Sequence, residues 1–137
     1  MAAGRAVLAR PLLAPAAAAA AGGSALAWVA NVSPHEAGHY PSCAFLALTG
    51  LQCPGCGTLR AMHELGHGDL LAALDLNALT TVLLLLAGVA WLTWVRTRLG
   101  MRSGPSPWLM NAFTATAIAL PIFGVLRNLE PFTFLAP

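Results

Sequence analysis

Cys53-Pro54-Gly55-Cys56-Gly57, followed by Arg60, His63, Glu64 and His67, is the one stretch of this chain where several reactive side chains crowd together. A Cys-x-x-Cys pair closes a disulfide, exchanges disulfides with another molecule, or gives two thiolates to a metal. The full spacing, Cys-x2-Cys-x6-His-x3-His, adds two imidazoles four residues apart, and on a helix both can reach one ion. Zinc takes four N and S ligands in a tetrahedron, so Cys53, Cys56, His63 and His67 are a candidate ligand set and zinc the cofactor it implies. The spacer between the two pairs is shorter than in common zinc fingers. A structural disulfide between Cys53 and Cys56 needs no further machinery in an oxidising compartment, and it leaves Cys43 as an odd thiol. Exchange chemistry would use a helix N-terminus and Arg60 to stabilise a thiolate. The alternating strands and helices that hold a substrate in thioredoxin-like proteins are not in the pattern. A partner-contact role, with the cysteines incidental, completes the alternatives.

The flanking residues predict how these groups are carried. Gly57 or Thr58 offers an N-cap and Gly66 or Gly68 a stop, so residues 58–66 read as a short helix. On it Arg60, His63, Glu64 and His67 share one face, with Leu59, Met62 and Leu65 toward another. The bland reading of His63 and His67 is a polar face beside lipid headgroups. Asp69 caps a further short helix, Leu70 to Leu74, and Arg60 and Arg127 could pair with Glu64, Asp69 or Asp75 near the membrane surface, a pairing more often architectural than catalytic. A weaker metal alternative lies upstream, where His35-Glu36-Ala37-Gly38-His39 spells His-Glu-x-x-His. Zincin chemistry needs that motif inside a helix. Gly38 and the nearby Pro41 oppose one, so a surface loop is expected and peptidase activity is not.

The elements that must position this segment are lipid-compatible. Of 137 residues 58% are hydrophobic and 9% charged, against roughly 25% charged in soluble domains, so water is not the main solvent. A net charge of +2, carried on dispersed arginines, gives no nucleic-acid footprint. Three uncharged stretches are each long enough for a hydrocarbon core of about 30 Å and predict spans at about 14–32, 77–95 and 108–126. The first is entered after Pro11 and Pro15 and closed by Asn31, Ser33 and Pro34. The second has Asn77 as N-cap, and Pro121 should kink the third. The run Ala44 to Leu51 is too short to span and reads as an interfacial piece ended by Thr49-Gly50. Arg5, Arg10, Arg96, Arg98 and Arg102 fall on one side of this topology, Arg60 and Arg127 on the other. Basic loops stay inside, which predicts a cytoplasmic N-terminus, an extracytoplasmic 33–75 segment and an extracytoplasmic C-terminus. A cleaved signal peptide competes for the first segment, with Ala25-Leu26-Ala27 as its cleavage site, and leaves the 33–75 segment outside as well.

Taken together, Tyr40-Pro41-Ser42-Cys43, Thr49-Gly50-Leu51, Cys53-Pro54-Gly55-Cys56-Gly57 with Arg60-Ala61, His67-Gly68-Asp69, Asn77, Arg127-Asn128, Pro131-Phe132 and Leu135-Ala136-Pro137 resemble the domain-of-unknown-function family 2752. The family pattern reads Cys-Pro-x-Cys-Gly-x-Thr-Arg-Ala, and Leu59 stands here where it has threonine. The resemblance implies a small multi-span bacterial membrane protein and supplies no reaction. The expected fold is an all-α membrane protein in one domain, residues 1–137, with three transmembrane helices and a short extracytoplasmic amphipathic helical cap. The expected function is an accessory or structural one, with the cap held by a disulfide or a metal and the bilayer or a membrane protein as partner. An envelope thiol–disulfide or metal-dependent enzyme is the alternative.

Overall fold

The computed structural model describes residues 2–36, 38–101, 104 and 106–135, with side chains from Leu12 onward apart from that of Thr133. Ala37 of the His-Glu-x-x-His motif, Arg102 of the basic loop, Pro105 of the turn before the third span, and the closing Ala136 and Pro137 lie outside the described residues. So do the side chains of Arg5 and Arg10. Five α-helices and a closing 3-10 helix follow in order, and there is no strand among the described residues: α1 (Ala2–Asn31), α2 (Ala44–Thr49), α3 (Thr58–Gly66), α4 (Leu70–Arg98), α5 (Pro107–Leu126), then Glu130–Leu135.

Three of these, Leu12–Asn31, Leu70–Arg98 and Pro107–Leu126, are long and apolar enough to cross a bilayer. The protein is therefore an all-α, multi-pass membrane protein. Its apolar surface agrees: Trp28, Leu85, Leu92, Ile118 and Val125 are exposed, while the buried hydrophobic side chains are few. Such a surface suits lipid, where helices satisfy their backbone internally. α1 begins earlier than the sequence predicts and runs through Pro11 and Pro15. Tertiary contacts hold it there: Pro15 is fully buried, and Trp91 Nε1 of α4 donates to the Pro15 carbonyl at 2.9 Å, tying α1 to α4.

α4 carries two helices in one. Asp69 caps the first, accepting from the Ala72 amide at 2.9 Å, as expected from the sequence. At Asn77 the backbone leaves helical geometry, and the Asn77 side chain accepts from the Thr80 amide at 2.9 Å, starting the second helix as its N-cap. Thr81 Oγ1 lies 2.9 Å from the carbonyls of Ala73 and Asn77 on either side of the kink and donates to them. α5 continues through Pro121 to Leu126.

The cap gathers at one end of the three long helices. α3 packs on α4 and on α1. Gly66 makes that approach possible, because a Cβ there would stand 2.7 Å from Cβ of Ala30. α2 stops at Gly50, which takes the left-handed conformation open to glycine (φ 71°). It buries none of its residues, and Phe45, Leu46 and Leu48 are exposed, the surface expected of an interfacial piece.

Candidate functional site

The Cys53–Cys56 turn is built from its backbone outward. The Cys56 amide donates to the Cys53 carbonyl at 3.1 Å, and Gly57 (φ 85°) turns the chain into α3. This leaves a ring of carbonyls facing inward, and buried carbonyls need donors. Asn77 supplies two: its Nδ2 donates to the carbonyls of Pro54 and Cys56, both at 2.9 Å. Its Oδ1 is engaged by Thr80, so the amide of this buried side chain is fully used. The kink in α4 is therefore what presents the amide to the turn.

Arg127 supplies the rest from the end of α5. Nη1 donates to the carbonyls of Cys53 and Cys56 at 3.0 Å, with the Pro54 carbonyl at 3.4 Å, and Nη2 donates to the Leu135 carbonyl at 3.0 Å. The guanidinium lies 5.0 Å from the Phe123 ring centroid. Next to it, Asn128 pairs with Gln52 at two points, accepting from its amide and donating to its carbonyl, each at 2.8 Å. Pro54 rests on Gly124, where a Cβ would come within 2.6 Å of the proline Cγ.

This overturns one expectation. Arg127 does not pair with Glu64, Asp69 or Asp75: it is 2% exposed, and no carboxylate among the described residues lies within ion-pair distance. Burial pulls its pKa below the usual guanidinium value, and negative charge on Cys56 or Cys53 acts in the opposite direction.

Held this way, the turn brings three sulfurs together. Cys53 Sγ is 3.3 Å from Cys56 Sγ and 3.5 Å from Cys43 Sγ, and all three lie within 4.8 Å of one another. Cys43, expected as an odd thiol, reaches the pair because it precedes α2, which folds back beside the turn. Cys43 and Cys56 differ in acidity. Burial, with Cys53 alongside, pushes Cys56 up to about 11. Cys43 is drawn below the usual thiol value by the Leu46 amide and then by the Cys53 thiol. A cleft of about 550 Å³ opens onto Cys43 and Cys56 and is bordered by His35, Tyr40, Thr58 and Arg60.

The histidines lie elsewhere. Among the described residues the sulfur trio is the one group of three or more Cys, His, Asp or Glu donors within 4.8 Å of each other, so His63 and His67 do not complete it. His63 Nδ1 is 2.8 Å from the Val29 carbonyl and His67 Nδ1 is 2.8 Å from the His63 carbonyl. His35 Nε2 meets Glu64 Oε1 at 3.0 Å, which takes up the carboxylate expected for an arginine. His39 lies 3.3 Å from the Ser33 carbonyl and 3.6 Å from Glu36. The described residues of His35–His39 are not helical, in keeping with the surface loop expected there. Arg60 faces the cleft, and Asp69 is spent on its cap.

Fold and site together define a class: a small helical membrane protein that carries a clasped thiol cluster at one end of its spans. Residues 43–91 match the model of the family described as "Protein of unknown function (DUF2752)", so that this part of the chain is similar to that family. The match takes in all three cysteines and Asn77, whereas Arg127-Asn128 lies beyond it. Neither a curated protein nor a solved structure matches the chain.

Proposed function

We propose that this protein holds a soft metal ion, Cu(I) or Zn(II), on the three thiolates of Cys43, Cys53 and Cys56, at the outer surface of the membrane. The observation that carries this reading is the buried Arg127. A buried cation is ordinarily balanced by an anion, and here its protein partners are carbonyls, with the sulfur cluster beyond them. A disulfide would be neutral. Metal binding ionises thiols outright and so provides the negative charge that the guanidinium lacks.

The geometry fits. Thiolates at about 2.3 Å from zinc stand roughly 4 Å apart, and the sulfurs, already within 4.8 Å of each other, need only small side-chain adjustments. Thiolate sulfur selects copper(I) and zinc over harder ions. The cleft reaching Cys43 and Cys56 leaves a side for a fourth ligand, which is the arrangement of an exchangeable site rather than a sealed structural one. The arginine distribution supports an extracytoplasmic position for the cluster and a cytoplasmic N-terminus. The service is accessory: the ion ties the start of α2 to the turn that α4 and α5 already hold.

A second reading rests on the central place of Cys53, within reach of both other sulfurs. In a thiol–disulfide exchange, the Cys43 thiolate would attack Cys53 of a Cys53–Cys56 disulfide, forming Cys43–Cys53 and releasing Cys56 as a thiolate that takes up a proton.

The experiment is metal analysis and thiol counting on protein purified in detergent under reducing conditions. At least one zinc or copper per chain is expected, one equivalent of it lost in Cys43→Ser as well as in Cys53→Ser and Cys56→Ser, and kept in His67→Ala. A quantitative Cys53–Cys56 disulfide with no metal, unchanged in Cys43→Ser, would overturn the metal reading. Interchange of Cys43–Cys53 and Cys53–Cys56 disulfides without metal would install the second.

A further inference from the structure

We infer a second metal site, separate from the sulfurs, in which His63 and His67 take a borderline divalent cation such as Cu(II), Ni(II) or Zn(II) through their Nε2 atoms. Each ring already holds the tautomer that this needs. A carbonyl can only accept, so the contacts of His63 Nδ1 with the Val29 carbonyl and of His67 Nδ1 with the His63 carbonyl fix the hydrogen on Nδ1. In the neutral rings both Nε2 atoms then carry lone pairs, and neither has a protein partner among the described residues. A ligand histidine almost always donates its other ring N–H to a carbonyl or carboxylate, which holds the tautomer and the ring plane. Two neighbouring rings with that outer contact are more than a polar helix face requires.

The rings lie close enough to act together. His63 in the last turn of α3 and His67, its C-cap, are four residues apart, with ring centroids 4.5 Å apart. The His35 ring meets His63 edge-on at 5.7 Å, and its Nε2 is held by Glu64 at 3.0 Å, which leaves His35 Nδ1 as the remaining ring nitrogen. Three imidazoles and a carboxylate thus share one neighbourhood, and imidazole suits copper(II), nickel and zinc. The location favours a cation too. The Val29 carbonyl belongs to the last turn of α1, the negative end of that helix dipole. His67 is exposed and the Glu64 side chain 24% exposed, so an ion reaches the group from solvent. Gly66 keeps α3 against α1 and so sets the distance from His63 to Val29.

This site does not rest on the thiol reading, and its test keeps the two apart. The full-length protein in detergent is treated with N-ethylmaleimide until mass spectrometry shows all three cysteines blocked, then titrated with Ni²⁺ and, separately, Cu²⁺, by calorimetry and by electron spin resonance of the copper form. One ion per chain is expected, with hyperfine splitting from at least two nitrogens. His67→Ala should weaken binding by more than the roughly 10–100-fold that loss of an outer-shell partner costs, with fewer nitrogens in the copper spectrum. Because the His67 ring bonds only to the His63 carbonyl of α3 and not to α1, this variant leaves the α1–α3 contact in place. His63→Gln, confirmed as folded by its gel-filtration profile, should act alike. Equal affinity and an unchanged spectrum in His67→Ala, or no binding once the thiols are blocked, would overturn the site.

Discussion

Arg127 is unusual less for being buried than for what it binds: it sits on backbone carbonyls from two separate segments, so its shape matters as much as its charge. Arg127→Lys keeps the charge and loses the fork. Each buried carbonyl left without a donor costs about 1–3 kcal/mol, so thermal unfolding in detergent should show a destabilisation of that order. Arg127→Met removes charge as well, and bound metal should fall further than in the lysine variant. The thiols give a prediction in pH. In reduced, metal-free protein, iodoacetamide should modify Cys43 well before Cys56, whose labelling rises only as the pH approaches about 11, as read by peptide mass spectrometry. The sign follows from linkage: the fold favours neutral Cys56, a contribution present below the usual thiol value and lost as pH rises through about 11. It favours the anion of Cys43, a contribution present above the usual value and lost as pH falls through the lowered one. At this scale the sequence was half legible. Cys53 and Cys56 announce themselves by spacing. Cys43 does not, because it lies ten positions before Cys53 with the helix α2 between them, and only chain reversal at Gly50 closes that gap.

Between elements, glycines mark where helices and turns meet. Gly66→Ala would drive a methyl into Ala30 and Gly124→Ala would drive one into Pro54. Overpacking of this kind costs typically about 1–3 kcal/mol, and both variants should melt earlier. If the thiols hold a metal as proposed, Gly124→Ala should also weaken its binding, since it lifts the turn off α5. Gly88, inside α4, meets nothing within 4 Å, so Gly88→Ala should be neutral or stabilise by up to about 1 kcal/mol through helix propensity. Melting curves of the three variants in one detergent check the contrast. Helix starts were readable where a side chain makes them: Asp69 and Asn77 are short polar caps ahead of apolar runs, and both cap as expected. The start of α1 was not. Local rules place a helix after Pro11 and Pro15, and packing on α4 overrides them. Nor does a periodicity argument show that Asn77 also reaches 21 residues back to the Cys56 carbonyl.

For the whole molecule, three apolar runs were enough to read the architecture, because a bilayer admits few alternatives to spanning helices. Sidedness is a separate matter, carried by the arginines. A membrane-impermeant maleimide should label the reduced cysteines in intact cells, and labelling that appears only after permeabilisation would invert the topology. The cap and the end of α5 share one end of the spans, so a cysteine placed at Asn128 should behave like Cys43, and one placed at Leu99, between α4 and α5, should do the opposite.

The hands that grip the Cys-Pro-Gly-Cys loop are synthesised late. Asn77 follows Cys56 by 21 residues, but the guanidinium arrives 71 residues after it. A nascent chain emerging from the insertion machinery therefore displays its sulfurs in a half-finished cradle until the last span has entered the membrane. That interval is when oxidation, or capture of an ion, meets least resistance. Growth conditions during biogenesis, rather than those after purification, would then decide which form of the cluster is trapped.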